Sequence, residues 1–287
     1  MDSPRFPLPS PHAAAILQAM RLDQTIAIVV PTPGEFEPYR ALLPDLRRLN
    51  DAGAWDAFEA SAGGRRLVFI LSAAGPVNAA AAGERLITQY APRVMLHGGS
   101  AGAHHPNLLP GDVVIGSRYV IATSRAVQQA RVARGLHPSL IRFRRHGQTL
   151  NLDYIDAHAE LLACAERLAR QTTAGFGEWQ SAGWPAEMPR RPGRVVTGIV
   201  ASADAWTVDP DELRMLHEDF GAECEYMESA YLAQVCAIHE LPFVAVRVIS
   251  DNEAACQLTA ADVAPAVAEA GARAAAILTA LASEATL

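Results

Sequence analysis

The chain has 287 residues, of which 50% are hydrophobic and 19% are charged, and its formal net charge is −7 at pH 7. This composition excludes a disordered chain and leaves room for one large α/β domain or two small ones. The negative charge argues against a protein whose main partner is nucleic acid.

The N-terminus and the cysteines bear on the compartment. Prolines interrupt residues 1–20, where a secretory signal would have its apolar core, and no segment approaches about 18 uninterrupted apolar residues. The four cysteines form no Cys-x-x-Cys pair, which predicts neither a disulfide framework nor a zinc site. We therefore expect a soluble, cytoplasmic protein with no metal, no cofactor and no membrane partner.

Apolar runs and helical spacings alternate along the chain. Residues 1–24 predict a proline-rich arm with a short helical stretch, and one α/β layered domain is expected over 25–287. A loop rich in glycine and proline is expected at Thr172–Gly193. The expected strands lie at 25–30, 67–71, 94–97, 112–116, 119–121, 194–200 and 242–249, and the expected helices at 35–49, within 72–90, and at 156–170, 229–239 and 261–283.

A glycine-rich segment, GGSAGAHHPNLLPGD at Gly98–Asp112, follows the apolar run Arg93–His97. Glycine at a strand end permits positive φ and lets a ligand approach the backbone closely. A tight turn from the strand into a loop is the alternative interpretation.

Charged residues fall at three predicted element ends, where α/β proteins place their chemistry. Taken singly, a glutamate at a helix start favours the macrodipole, and an aspartate after a strand can serve as an N-cap or turn residue. An arginine within an apolar strand requires a partner. The stretches are PTPGEFEPYRALL with Glu35 and Glu37, ECEYMESAYLAQV with Glu228, and FVAVRVISDNEA with Arg247, Ser250 and Asp251.

Three segments, in order, resemble the nucleoside phosphorylase/nucleosidase superfamily, and most closely its methylthioadenosine/S-adenosylhomocysteine nucleosidase branch. The similarity covers most of residues 25–282, and the MES and VRVISD pair downstream of GSAG carries it. It implies a single-domain, three-layer α/β/α fold around a twisted mixed sheet, a purine nucleoside as ligand, and a homodimer or higher homo-oligomer. The segments are GPVNAAAAGERLITQYAPRVMLHGGSAGAHHPNLLPGDVVIG, GIVASADAWTVD and ECEYMESAYLAQVCAIHELPFVAVRVISD.

The resemblance implies a catalytic pair. Asp251 would be the general acid toward N7 of the departing purine, since that base needs a proton to leave as a neutral molecule, and Ser250 would position it. Glu37 would be the base that activates water. Arg247 and Ser100 would complete the hydrogen bonds around that water.

The resemblance also implies the nucleoside contacts. Glu228 would accept hydrogen bonds from the ribose hydroxyls, with Met227 packed beneath the sugar. Trp206 would lie against the purine, and its backbone and that of Ala205 would contact the base edge. An ordinary half-buried core aromatic is the alternative for Trp206.

The sequence departs from the family pattern at two positions, of which the first bears on local packing and the second on the reaction. Tyr226 stands where many relatives have an acidic residue, and His97 stands where the phosphorylase branches tend to have an arginine for phosphate. Because Glu35 and Glu37 would also repel phosphate, hydrolysis by water is favoured over phosphorolysis. The resemblance therefore implies a purine nucleoside N-ribohydrolase.

Alternative functions remain open on the sequence. A phosphate-dependent phosphorylase and a non-catalytic nucleoside-binding protein share the fold, whereas an NAD-dependent dehydrogenase is excluded because no G-x-G-x-x-G follows the first strand. The basic stretch around Ser124–His146 is expected to help line the pocket for the 5′ group of the substrate, leaving a polar or anionic substituent open.

Overall fold

The central element is a mixed sheet. The computed structural model describes residues 24–123 and 141–284. Ten of the described strands form this sheet, and β7 and β8 form a separate hairpin. The strands are β1 Thr25–Val30, β2 Arg47–Leu49, β3 Asp56–Ala62, β4 Arg65–Leu71, β5 Val94–Ala103, β6 Val113–Ile121, β7 Ile141–Arg145, β8 Gln148–Leu152, β9 Ile155–Asp156, β10 Val195–Ser202, β11 Ala222–Glu225 and β12 Phe243–Asp251.

Helices cover both faces of the sheet and bury opposite sides of the same strands. One face packs against α1, α3 and α6, and the other packs against α2 and α5. A third, smaller core lies between α4 and strands β6, β10 and β11. This confirms the three-layer α/β/α class. The helices are α1 Pro33–Leu42, α2 Pro76–Tyr90, α3 Ala159–Thr173, α4 Pro210–Phe220, α5 Ser229–Ile238 and α6 Ala260–Glu284.

Helix α6 is long and apolar enough to cross a membrane by length and composition alone. However, 56% of its most apolar window is buried inside the fold. Residues such as Ala270, Ala274 and Leu278 pack in the same core as α1. Its apolar character is therefore that of a core helix.

Part of the sheet closes on itself. Strand β5 pairs in parallel with β1 and β12, and its far end also pairs antiparallel with β11, through Cys224 opposite Ala103 and Glu225 opposite Gly102. Since β11 continues through β10 and β6 back to β12, five strands form a ring. The residues that follow β11 therefore lie beside the carboxyl end of β5.

Several element boundaries differ from the sequence predictions. The glycines do not turn the chain, because β5 runs on to Ala103 with partners on both sides. The helix expected over 35–49 ends at Leu42, ahead of Pro44, and 47–49 is a strand. The two strand pieces at 112–121 are one strand, β6. The arm within 1–23 lies outside the described residues, so its boundary with the domain stays a prediction.

The predicted loop is a strap, residues 174–193, without helix or strand. Trp179 on the strap is 1% exposed, and Arg191 donates to both oxygens of Asp112 at 2.5 and 2.6 Å. The backbone N–H of Arg194, just after the strap, also donates to Asp112, at 2.7 Å. The loop is thus packed onto the domain and anchored at a fully buried carboxylate.

Candidate active site

Glu35 lies in the first turn of α1 and points into the fold. Thr32 is the N-cap of this helix, and its hydroxyl accepts a hydrogen bond from the Glu35 N–H at 3.3 Å. Glu35 is only 1% exposed. Its Oε1 accepts hydrogen bonds from the N–H and the hydroxyl of Ser100, at 2.9 and 3.0 Å. A carboxylate is thereby fixed against the carboxyl end of β5.

Two glycines make room for this carboxylate. A β-carbon added at Gly99 would collide with Oε1 of Glu35 and would lie 3.2 Å from Nη1 of Arg247. On α6, a β-carbon at Gly271 would lie 3.0 Å from the Glu35 Cα. The missing side chain at Gly99 is therefore explained by two buried charged groups rather than by a turn.

The structure contradicts the prediction of Glu37 as a site residue. Its side chain is 72% exposed and pairs with Arg40 at 3.0 Å on the outer surface. Residues two apart in a helix point about 200° apart around its axis, so Glu35 and Glu37 cannot share one face. The sequence argument named both glutamates and chose the one that lies on the exposed face, because it did not fix the start of the helix.

Arg247 finds its partners in a buried cluster. It is 0% exposed, its Nη2 donates to Nδ1 of His97, and its guanidinium lies 3.9 Å from the ring centroid of Tyr226. Its Nε and Nη1 have no hydrogen-bond partner among the described residues. Burial, with the Arg247 charge, holds the pKa of His97 well below its ordinary value, so the imidazole is neutral.

Asp251 is the last residue of β12, beside Gly102 of β5. The residue is 5% exposed, and the Ser250 hydroxyl donates to its Oδ1 at 2.5 Å. Burial, together with the charges of Glu253 and Glu225, raises the pKa of Asp251 to about 6 against the opposing effect of Ser250. Ser250 thus contacts the Asp251 carboxyl group, and that group can carry a proton near neutral pH.

Glu228 is the N-cap residue of α5 and is 1% exposed. Its Oε1 accepts from the Gly75 N–H, at 2.5 Å, just ahead of α2. Burial, with the Glu35 charge, raises its pKa to about 7 despite the Gly75 bond. Met227 beside it is partly buried. Glu228 is therefore held by backbone, which leaves its Oε2 free for a ligand hydroxyl.

The segment around Trp206 borders a cleft of about 310 Å³ lined by Ala205, Trp206 and Thr207 among others. Trp206 is 54% exposed, which contradicts the alternative of a core aromatic. Its contact with a purine, and that of Ala205, stay predictions.

The sequence argument missed the group that anchors this segment, Glu225. The Glu225 carboxylate accepts from the N–H and hydroxyl of Thr207 at 2.7 and 2.8 Å, and His104 Nε2 lies 3.3 Å away. The His104 imidazole, followed by the two Thr207 donors, outweighs burial and holds the pKa of Glu225 below its ordinary value. The available signals were an acidic residue one position before Tyr226 and the histidines after GSAG.

The basic hairpin does not reach these groups. Arg145 donates to the Ala237 carbonyl at 2.9 Å, and His146 lies 3.1 Å from Glu240. These contacts are at the carboxyl end of α5, whereas Glu228 caps its amino end, about 15 Å along the axis. Of the stretch expected to line a 5′ pocket, residues 124–140 lie outside the described residues, and residues 145–146 lie away from the site.

The described residues thus bring together five predicted groups: Ser100, Glu228, Arg247, Ser250 and Asp251. They do so at one end of the sheet, where β5, β11 and β12 meet. Two residues that the sequence argument did not place there, Glu35 and Tyr226, complete the arrangement, because the Tyr226 hydroxyl donates to both oxygens of Glu35 at 2.9 Å.

The family model of the phosphorylase superfamily matches residues 25–283, and the chain belongs to that superfamily. It is 30% identical over 199 residues to the 5′-methylthioadenosine/S-adenosylhomocysteine nucleosidase of Treponema pallidum, covering 68% of this chain and 70% of that protein.

Solved structures share the fold. The nucleosidase of the same name from Neisseria meningitidis, in complex with methylthio-immucillin-A, aligns with a TM-score of 0.68 and 24% identity, covering 90% of this chain and 98% of that one. The native futalosine hydrolase of Helicobacter pylori aligns with a TM-score of 0.69 and 19% identity, covering 91% and 97%.

Proposed function

We propose that this protein is a purine nucleoside N-ribohydrolase, an enzyme that cleaves the N-glycosidic bond with water. The observation that carries the proposal is a pair of buried carboxylates with different environments. Asp251 has a raised pKa of about 6, whereas Glu35 is surrounded by hydrogen-bond donors. Pairs of carboxylates with separate acid and base roles are the usual equipment for glycosidic cleavage.

Asp251 suits the leaving base. As the C1′–N9 bond breaks, its electron pair moves onto the purine, and a proton on N7 lets the base depart neutral. A carboxyl group with a pKa near 6 is protonated in a useful fraction of molecules near neutral pH. The Ser250 hydroxyl, which donates to Oδ1, leaves Oδ2 to carry the proton toward the purine.

Glu35 suits the role of the base that accepts a proton from the attacking water. A water oxygen forms the new bond to C1′, and one of its protons has to be accepted by a base. Glu228, with one oxygen held by Gly75, is placed to accept from the ribose hydroxyls. Arg247 contributes Nη1, a buried donor without a partner among the described residues, to the same region.

Water is favoured over phosphate as the nucleophile on electrostatic grounds. A phosphate dianion needs charge-assisted donors. His97 is neutral and Arg40 pairs with Glu37 at the surface, so Arg247 is the cation beside Glu35 among the described residues, and the carboxylates of Glu35 and Glu228 oppose its charge. Phosphorolysis remains the second candidate because the superfamily is named for it.

A binding protein without activity is the weaker alternative. Burying Asp251 and Glu228 with raised pKa values costs stability, and binding alone does not need a titratable acid at the purine. Adenine nucleosides with a 5′-thioether are the first substrate candidates, because the Treponema relative is named for 5′-methylthioadenosine and S-adenosylhomocysteine.

Product analysis tests the proposal. The purified protein is incubated in phosphate-free buffer with 5′-methylthioadenosine, S-adenosylhomocysteine, futalosine, adenosine and inosine, and the free base is quantified. We expect base release with a free pentose as the second product. Dependence on added phosphate, with a pentose 1-phosphate as product, would establish the phosphorylase instead. Binding without base release from any of these nucleosides would establish the binding protein.

A matched pair of variants tests the corrected base. Glu35→Gln is expected to lower kcat by about 10²–10⁴-fold, since an amide cannot accept the proton. Glu37→Gln removes the same charge from the same helix at an exposed position, and its kcat is expected to stay within about twofold of the original. A large loss of kcat in Glu37→Gln with a small loss in Glu35→Gln would instead identify Glu37 as the base.

We further propose a homo-oligomer in the cytoplasm. Exposed apolar side chains on and near the site, at Val77, Trp206 and Val208, support self-association. Four free thiols support a reducing compartment. Light scattering after size-exclusion chromatography tests the first, where a monomer at micromolar concentration contradicts it. Cell fractionation tests the second.

A further inference from the structure

The described hydrogen-bond donors around Glu35 occupy the acceptor positions that a water molecule would need on its carboxylate. Its Oε1 accepts from the Ser100 N–H, the Ser100 hydroxyl and the Tyr226 hydroxyl. Its Oε2 accepts from the Thr32 hydroxyl, at 2.7 Å, and again from Tyr226. Two carboxylate oxygens offer about four acceptor positions. The described donors alone therefore fill the carboxylate that the proposed function uses as its base.

Tyr226 and Ser100 are the two of these donors whose hydroxyl oxygens accept no described hydrogen bond, since the Thr32 oxygen accepts from the Glu35 N–H. A phenol oxygen both donates and accepts. The described hydrogen bonds include no donor to the Tyr226 oxygen. This oxygen lies 2.9 Å from each carboxylate oxygen of Glu35, to which its hydroxyl donates. Tyr226 is partly exposed, whereas Ser100 is 6% exposed and Glu35 is 1% exposed, so Tyr226 is the more exposed of the two residues with an open hydroxyl oxygen.

The ring of Tyr226 is fixed from several sides. The Arg247 guanidinium lies 3.9 Å from its centroid, and the His97 ring lies 5.5 Å away. Its backbone carbonyl accepts from the Ser202 hydroxyl at 2.5 Å. Burial and the charges of Glu35 and Glu228 raise the pKa of the phenol well above its ordinary value. The phenol therefore keeps its proton in a fixed orientation until a stronger demand arises.

We infer that Tyr226 relays the proton of the attacking water to Glu35, a catalytic role that rests on the proposed hydrolysis. The water oxygen bonds to C1′ as the C1′–N9 bond breaks and its electron pair passes to the purine, which takes a proton from Asp251. One water proton moves to the Tyr226 oxygen, and the phenol proton moves to Glu35. The second water proton stays on the new hydroxyl group. Tyr226 ends the step as a phenol, so no charge accumulates on it.

The relay predicts a loss in kcat without a loss in binding for Tyr226→Phe. Phenylalanine retains the ring beside Arg247 and His97 and removes only the hydroxyl. We expect kcat, and the rate constant measured in single-turnover assays, to fall by about 10²-fold or more, as for loss of a proton-transfer group. KM and the melting temperature should stay close to the original values.

The solvent isotope effect distinguishes a relay from a structural role. The relay moves two protons in addition to the proton of Asp251, so mixtures of H₂O and D₂O should give a larger and more strongly curved effect in the original protein than in Tyr226→Phe. If Tyr226 only held Glu35 in place, water would still pass its proton to Glu35 directly. An unchanged isotope effect in Tyr226→Phe would therefore overturn the relay.

A double-mutant cycle supplies the second criterion. Since the relay ends at Glu35, adding Tyr226→Phe to Glu35→Gln should cause little further loss, whereas independent roles would multiply. Tyr154→Phe is the matched control, because it removes a phenol that donates to the Phe220 carbonyl at 3.1 Å, away from the site. Multiplying losses, or a kcat for Tyr226→Phe no lower than that of the control, would refute the relay. Absence of base release by the original protein would instead refute the proposed function.

Discussion

At the scale of single residues, the same functional group serves different purposes according to its neighbours. Burial raises the pKa of Asp251 to about 6, two nearby carboxylates add to the rise, and its one hydroxyl donor opposes it. Asp112 is equally inaccessible, yet its hydrogen bonds from Arg191 and the backbone outweigh burial and lower its pKa. The first environment favours the protonated carboxyl group, whereas the second favours the ionised carboxylate. Burial with a single donor thus favours the protonated form of Asp251, whereas burial with several donors favours the ionised form of Asp112.

Asp251→Asn is expected to abolish most activity and to stabilise the protein above pH 6. The folded-state pKa of about 6 exceeds the ordinary 3.8, so folding favours the protonated acid and stability is lost as pH rises between these values. Two pKa units correspond to about 3 kcal/mol. Asparagine cannot ionise and avoids that loss.

Melting curves at pH 4 and pH 8, with base-release assays, check this expectation. The gain in melting temperature should be present at pH 8 and small at pH 4. Asp211→Asn, at an exposed carboxylate paired with Arg214, is the control and should change neither property. A variant no more stable than the original protein at pH 8 would mean that Asp251 is not strained by burial.

At the scale of elements, strand β5 connects the site. Its glycines leave space on both sides of the strand, for Leu278 of α6 at Gly98 and for Glu35 at Gly99. A strand with side chains at these positions could pair equally well, but α1 and α6 could not approach it. Strand β5 therefore lies in the interior of the sheet and also lines the site.

Gly99→Ala is expected to lower kcat by at least about 10-fold while the protein stays folded. The new β-carbon would collide with Oε1 of Glu35, and a displacement on the order of 1 Å of a reacting group can cost 10²-fold. Gly34→Ala, one position before Glu35, is the control, since a β-carbon there meets nothing within 4 Å. Circular dichroism and base-release assays measure both variants. Equal activity in the two would show that Glu35 adapts.

Apolar periodicity indicated the layered fold, and charged element ends indicated Glu228, Arg247, Ser250 and Asp251, because both are local properties. Ser100 was indicated by the family resemblance alone. The sequence argument failed where the outcome depends on distant partners. The extension of β5 through its glycines depends on pairing with β11 and β12, more than a hundred residues away. The choice of Glu35 over Glu37 depends on a rotation of about 200° around the helix axis. The contact of Tyr226 with Glu35 joins residues 191 positions apart.

At the scale of the whole molecule, the strap links the segment ahead of β6 to the long helix α6. Its Arg191 reaches Asp112 ahead of β6, while the strap backbone at Gln180 and Ser181 donates to Glu269 of α6 at 3.1 and 2.8 Å. A β-carbon at Gly183 would lie 3.5 Å from the Ser250 carbonyl, so the strap also packs behind the acid. It supports the site without supplying a reacting group.

Asp112→Ala is expected to destabilise the protein by about 2–4 kcal/mol, because the buried N–H groups of Leu109 and Arg194 lose their acceptor. Because the pKa of Asp112 is lowered in the fold, its contribution is present above its ordinary value of 3.8 and is lost as pH falls below it. Urea unfolding at pH 7 measures the change. The control is Asp56→Ala, at an exposed pair with Arg48, expected to cost at most about 1 kcal/mol. Equal costs would show that the anchor is dispensable.

The ring formed by β5, β12, β6, β10 and β11 has a consequence for the order of folding. Its closing pair, Glu225 opposite Gly102, joins segments more than a hundred residues apart, and such contacts form slowly because the intervening chain must first be ordered. Tyr226 and Glu228 follow this pair directly, so they reach Glu35 only when the ring closes. During refolding, secondary structure should therefore return before base release does, and activity should recover in step with the slowest folding phase.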